Sequence, residues 1–84
     1  EDVIEGEVVE VVERLSKRLL ITKDEQAQVR ENLVRDGDFS RWGFANAVTR
    51  TAQDVGSYDR ATELEKLGGQ VIAMSSKEFT KLAA

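Results

Sequence analysis

The side chains with the widest chemical reach in this sequence fall in one stretch. Trp42, Asn46, Thr49 and Gln53 recur at three- and four-residue spacing, with Arg50 beside them. On a helix that spacing places them on one face. Asn, Gln and Arg hydrogen-bond base edges bidentately, and Trp stacks on an unpaired base. Arg41 and Arg60 offer two phosphate contacts nearby. The same face has a plainer reading, in which Trp42 packs against a neighbouring helix while Asn46 and Thr49 hydrogen-bond adjacent backbone. A third reading makes it a protein contact. The formal net charge of −4 weighs against nucleic acid, because phosphate neutralisation supplies most non-specific affinity. Asp36 and Asp38 also stand where DNA would approach a helix-turn-helix. The plainer reading is therefore the expectation, with Asn46 buried in the bundle.

Two acidic groups invite a metal. Asp36-Gly37-Asp38 has the start of a calcium loop, but Ser40, Trp42 and Phe44 do not supply the oxygen ligands that an EF-hand pattern requires, so it reads as a turn. Asp59 and Glu63 share a helix face, with Asp54 across Gly56. Helix capping and solvated charge explain all three, and no phosphate loop or nucleophile accompanies them. Tyr58 reads as the edge of the core. Val71, Ile72 and Met74 read as apolar residues that close the bundle, with an exposed partner patch as the alternative.

Absent residue types remove whole chemistries. The 84-residue chain has no His, no Cys and no Pro. That excludes disulfides, thiolate nucleophiles, iron–sulfur clusters, the usual zinc ligand sets and a Ser–His–Asp triad. No catalytic residue, metal site or cofactor is assigned, and the expectation is a protein that is not an enzyme. No apolar run reaches the length of a membrane span. The acidic start, Glu1 and Asp2, lacks the basic charge of a secretory signal. Zero Cys is compatible with the cytoplasm, the expected location. The length fits one helical domain over residues 1–84, and a start at Glu rather than Met fits a piece of a longer protein.

Five segments must position these residues. From Glu7 to Leu20, Ile4, Val8, Val11, Val12, Leu15 and Leu19 form an apolar stripe at helical spacing, with Glu10–Arg14 and Glu13–Lys17 as supporting pairs. The first 13 residues hold six acids and no base, which suits a helix entry. Thr22 and Glu25 make a capping box for a second helix, with Val29, Leu33 and Val34 on its buried face and Gly37 as its stop. Ser40 caps a third helix from Arg41 to about Val55, with Phe39 and Phe44 as a hydrophobic staple and Phe44, Val48, Ala52 and Val55 facing the core. Its small residues Gly43, Ala45, Ala47 and Ala52 suit close helix packing. Ser57 caps a fourth helix from Tyr58 to Leu67, which Gly68-Gly69 is expected to end. Gln70 to Met74 is then extended or irregular. Ser75 and Glu78 cap a short last helix carrying Phe79, Leu82 and Ala83. The expected fold is all-α, a compact bundle of four to five short helices.

The run from Ser40 to Met74 resembles the C-terminal region of a family of uncharacterised bacterial and phage- or plasmid-like proteins. The features that carry the resemblance are Trp42-Gly43, Asn46-Ala47-Val48-Thr49 and the Ala/Leu/Glu-rich helix before Gly68-Gly69. The resemblance covers about the last half of the chain. It implies a cytoplasmic domain of a larger phage- or plasmid-associated protein and no particular reaction. The implied role is a non-enzymatic interaction or accessory domain, partnered by the rest of its parent protein or by another protein. A nucleic-acid-contacting helical module is the alternative.

Overall fold

The computed structural model describes the backbone of residues 5–83 and the side chains of residues 9–83. Five helices follow one another: α1 (Glu5–Arg18), α2 (Lys23–Asp36), α3 (Arg41–Asp54), α4 (Tyr58–Ala73) and α5 (Ser76–Ala83). No strand occurs among the described residues, so the fold is a small all-α bundle. Ile4 and the Val8 side chain lie outside what is described. The rest of the α1 stripe behaves as its spacing requires, with Val12 and Leu15 fully buried and Val11 and Leu19 packed against the core. Glu10 and Arg14 form their ion pair at 3.3 Å.

α1 ends in a Schellman-type turn. Leu20 takes a left-handed φ of 59°, and the Ile21 amide donates to the Ser16 carbonyl at 2.8 Å. Glycine is the usual residue at that position. Here it is a leucine, 80% exposed. The α2 capping box is complete. The Glu25 amide donates to Thr22 Oγ1 at 3.2 Å, and the Thr22 amide donates to Glu25 Oε1 at 3.0 Å. Gly37, at φ 70°, closes α2 with its amide on the Leu33 carbonyl. Val34 does not belong to the buried face as its sequence position suggested. It points outward, and Asn32 takes the inward place beside Val29 and Leu33. The buried Asn32 amide donates to Thr51 Oγ1 at 3.2 Å, and Thr51 Oγ1 donates to the Ala47 carbonyl at 2.9 Å. Pairing these groups avoids the cost of burying unsatisfied polar atoms.

α3 is the hub. It packs on α2 and α4 and sends Phe44 towards α5, where the Phe44 and Phe79 ring centroids lie 6.0 Å apart. Phe44, Val48 and Ala52 are buried as the spacing requires, with Val55 packed at their edge. Ser40 caps α3 through the Gly43 amide at 3.3 Å. Asp38 Oδ1 in turn accepts from the Ser40 amide at 3.1 Å and the Ser40 hydroxyl at 2.6 Å. These bonds hold the Asp38 carboxyl below its ordinary range. Gly43 is required by this turn, since a Cβ there would sit 1.8 Å from the Asp38 carbonyl oxygen.

α4 differs from the sequence expectation. Gly68-Gly69 does not end it; the helix continues to Ala73, and the run expected to be extended is helical. Neither glycine has a positive φ. Gly68 serves close packing instead: a Cβ at that position would lie 2.7 Å from Thr49 Oγ1 and 3.3 Å from the Ala45 carbonyl. Continuing the helix also buries Val71, which a stop at residue 68 would forfeit. Arg41 pairs with the Val71 and Ile72 carbonyls, while Gly68 faces Ala45 and Thr49. α3 and α4 are therefore antiparallel. Ser75 and Glu78 form the second capping box, with both bonds at 3.1 Å, and start α5. Phe79, Leu82 and Ala83 pack against the core, and Arg14 ties α1 to the Ala83 carbonyl at 3.1 Å.

Arg60 clasps the other end of the molecule. Its Nε and Nη2 donate to Glu25 Oε2 and Oε1 at 2.7 and 2.6 Å, its Nη2 to the Leu20 carbonyl at 3.0 Å, and its Nη1 to Glu63 at 2.9 Å. This fork joins the end of α1, the start of α2 and α4. The guanidinium holds the Glu25 carboxyl below its ordinary value, and Glu25 and Glu63 raise the Arg60 pKa.

Two predictions follow from these joints. Leu20→Gly relieves the left-handed φ at small burial cost, so it should stabilise the fold by about 1 kcal/mol in urea titration; destabilisation would show that the exposed leucine packs on something essential. Arg60→Met should destabilise by about 2 kcal/mol at pH 7, below the roughly 3–5 kcal/mol of a fully buried pair because the clasp is partly solvated. Glu25 has a lowered folded pKa, so its stabilisation is complete above the unfolded value of 4.5 and is lost as pH falls through the folded value. The gap between wild type and Arg60→Met should therefore narrow below about pH 4.5. A gap independent of pH would remove the ion pair as its cause.

Candidate interaction face along α3 and α4

The contact line between α3 and α4 divides each helix into an inner and an outer strip. On α3 the line runs along Ala45 and Thr49; Phe44, Val48 and Thr51 lie on its inner side. Trp42, Asn46 and Gln53 fall about 40–80° round the helix from the middle of that line on the outer side, and all three are exposed. On α4 the line passes through Gly68, with Leu64, Leu67 and Val71 inside. Tyr58, Gly69 and Ile72 fall about 40–100° round on the outer side, and these are exposed too. The two outer strips border one seam. Three of the six exposed large apolar side chains lie on it: Trp42 at 55%, Tyr58 at 85% and Ile72 at 36%.

Each residue singled out in the sequence has a definite place here. Trp42 is more than half exposed rather than buried between helices, and Asn46 is exposed. The buried places on α3 go to Ala45, Ala47 and Val48, whose small or apolar side chains allow the neighbouring helices to close on them. Thr49 does act structurally, half-buried beneath α4 with its hydroxyl on the Ala45 carbonyl at 3.0 Å. Tyr58 is not the edge of the core but open surface, since it lies a large rotation away from Leu64 and Leu67 on α4. Gln53 is exposed at the far end of the strip.

The arginines are engaged inside the chain. Arg41 donates to the Ile72 carbonyl, and to the Val71 carbonyl at 3.4 Å. Both groups belong to the last turn of α4, where the Val71 carbonyl also accepts from the Met74 amide at 3.3 Å. Its guanidinium lies 6.0 Å from the centroid of the Trp42 ring, within range of a cation–π contact. Arg50 reaches Asp36 at 3.4 Å. Arg60 sits in the clasp on the inner side. The structure thus brings Trp42, Asn46 and Gln53 together, sets Arg50 beside them, and takes Arg60 elsewhere.

The acidic groups form no metal centre; among the described residues no group of three His, Cys, Asp or Glu side chains could hold an ion. Asp36-Gly37-Asp38 is the turn between α2 and α3, with its carboxylates on Arg50 and Ser40. Glu63 pairs with Arg60. A cleft of about 180 Å³ between α2 and the end of α3 holds Asp24, Glu25, Thr51 and Asp54. In it, Glu25 is bound by Arg60, and the Thr51 hydroxyl both accepts from Asn32 and donates to Ala47. Both side chains are therefore engaged within the chain.

Sequence reasoning missed the role of Arg41 and the continuation of the face onto α4. The signal available was the glycine pair. Gly68 is explained by Thr49, whereas a Cβ on Gly69 would meet nothing within 4 Å. No protein-family model, no curated protein and no solved structure matches this chain. Among the described residues no helix is long and apolar enough to cross a membrane.

The exposed position of Asn46 makes a direct prediction. Asn46→Ala should change stability by less than about 0.5 kcal/mol, as surface substitutions do, whereas Gly68→Ala should cost about 1–3 kcal/mol through overpacking. Thermal melts of the two variants check this. A large loss for Asn46→Ala with none for Gly68→Ala would reverse the assignment of inner and outer strips.

Proposed function

We propose that this chain is a non-enzymatic interaction module that meets a protein surface along the α3–α4 seam, with Trp42 as its anchor. The observation that carries the reading is an exposed tryptophan beside a tethered guanidinium. Arg41 is tied to the end of α4, and its guanidinium lies 6.0 Å from the centroid of the indole, a contact that favours one placement of the ring. Pre-positioned aromatic residues lose little freedom on binding and recur as energetic centres of interfaces. Tyr58 and Ile72 extend the apolar contact, and Asn46 and Gln53 supply polar groups of the kind found between such anchors.

The reading extends to context. The module serves as an accessory domain of a larger phage- or plasmid-associated protein in the cytoplasm, as the resemblance over Ser40–Met74 implies. Its partner is the remainder of that protein or another protein. The engaged arginines and the net charge of −4 leave the seam poorly suited to phosphates.

Site-specific photo-crosslinking tests this. A photoreactive phenylalanine analogue at position 42 should yield adducts with protein in cells expressing the chain, and the same analogue at Gln28, on α2, should not. Labelled single- and double-stranded oligonucleotides should show no binding by fluorescence anisotropy at about 150 mM salt. Adducts with nucleic acid, or oligonucleotide binding that Arg50→Ala abolishes, would replace this reading with a nucleic-acid-contacting one. An absence of adducts at position 42 would remove it.

A further inference from the structure

We infer that α5 is a strap that lifts from α1–α4 as one unit while the rest of the bundle stays folded, and that lifting bares Phe44. The device is separate from the seam, because Phe44 lies about 160° round α3 from Trp42.

The first argument is burial. Each of the other four helices buries side chains completely, whereas α5 buries none. All the buried apolar side chains belong to α1–α4 or to the turn at Ile21, so the body holds its own core. Phe79, Leu82 and Ala83 pack against that core but stay partly exposed. Their i, i+3, i+4 spacing is that of a helix docked in an apolar groove. α5 is the resident occupant of such a groove, with the Phe79 ring against Phe44 at 6.0 Å between centroids.

The second argument is connection. The body is cross-tied by polar side chains: Asn32 to Thr51, Arg41 to the end of α4, and Arg60 to Glu25 and Leu20. Among the described residues no ion pair ties α5 to it. The tie that does exist is a hydrogen bond from the half-exposed Arg14 guanidinium to the Ala83 carbonyl. No backbone hydrogen bond among the described residues crosses from α4 into α5. The Met74 amide closes α4 on Gln70 and Val71, and the Phe79 amide opens a new series on Ser75. Met74 between them is extended, at φ −70° and ψ 151°. The Ser75–Glu78 capping box is local to the strap, so it forms and melts with it.

The third argument is the fit. An open cleft of about 350 Å³ runs between the end of α1 and α5, lined by Arg18, Met74, Glu78, Lys81 and Leu82. α5 therefore leaves one flank unsealed. Two cations, Arg18 and Lys81, border this cleft, and its acid, Glu78, accepts from the Ser75 amide within the strap itself. An eight-residue helix is marginal alone in water, so lifting melts it. The freedom its residues regain offsets the burial lost. Segments with few buried contacts open below the free energy of global unfolding.

Native-state hydrogen exchange of the whole chain by NMR, in urea concentrations below the unfolding transition, is the test. The amides of Phe79 to Ala83 should share one opening free energy and one small urea slope, and should exchange about a hundredfold or more faster than those of Val48 and Leu64. Protection that declines residue by residue towards Ala83 would show fraying of the end and overturn the inference. Exchange at the free energy and urea slope of α3 would overturn it too. Phe79→Ala should speed exchange throughout α5 by about tenfold or more and shift the Phe44 ring resonances, while the amides of Asn32 and Leu64 keep their chemical shifts. Loss of the folded spectrum in that variant would make α5 part of the core, and unchanged exchange in α5 would show that Phe79 does not hold it; either result sinks the strap.

Discussion

The threonine hydroxyl at residue 49 occupies the space that a side chain on residue 68 would need. A Cβ at Gly68 would come within 2.7 Å of Thr49 Oγ1, so the approach of α3 to α4 depends on the absence of that atom. The consequences run outward from this contact. Close approach fixes the rotation of both helices. Rotation decides that Val48 and Leu64 face inward, and that Trp42, Asn46, Tyr58 and Gly69 face outward. It also brings Arg41 to the last turn of α4, where its Nη1 donates to the Val71 and Ile72 carbonyls. One missing methyl group thus determines both the core and the exposed face.

The opposite end of the bundle is held by charge rather than by close packing. Arg60 meets Glu25 in a bidentate pair, the geometry in which Arg and carboxylate interact most strongly. Glu25 serves two structures at once, since its carboxylate also completes the α2 capping box. Leu20 contributes its carbonyl to the same fork. A left-handed turn at that residue presents the carbonyl to Arg60, which gives the strain at Leu20 a structural context. A small domain with no disulfide and no Pro has few other means of fixing its chain reversals. Here they are fixed by side chains that satisfy turn or helix-end backbone: Thr22, Ser40, Ser57, Ser75, Arg41 and Arg60.

Most of the helix starts were legible because they are local. Thr22, Ser40, Ser57 and Ser75 each hydrogen-bond an amide three residues on, and that geometry is written in the spacing. The core face of α3 was legible for the same reason, through the helical period of Phe44, Val48 and Ala52. What failed was whatever depended on a neighbour. Gly68-Gly69 has the composition of a helix stop, yet tertiary packing against Thr49 overrides it. Asn46 has the composition of a buried polar residue among small ones, yet the small residues serve the other sides of α3. Val34 follows Leu33 in sequence but lies a large rotation away from it. The candidate face was half legible. Its α3 strip follows from periodicity alone, whereas its α4 strip required knowing that the helix continues beyond residue 68. The links from Arg41 to α4 and from Arg60 to Glu25 span 31 and 35 residues, separations over which a single sequence carries no register.

The distribution of charge connects stability to the reading of the surface. A third of the residues are charged, yet the outer strips of α3 and α4 are nearly free of charge. In a chain of this composition, a nearly uncharged face with an exposed tryptophan stands out. Charged side chains keep small proteins apart in solution, and their absence removes that protection locally. Folding alone would be served as well by lysine or glutamate at position 58, where the side chain is largely in water. Arg41 sharpens the contrast. Its donors already stabilise the end of α4, and a solvated tryptophan would add little to that task. The indole beside this guanidinium instead links the fold to the surface: the side chain that donates to the last turn of α4 also lies 6.0 Å from the centroid of the exposed ring.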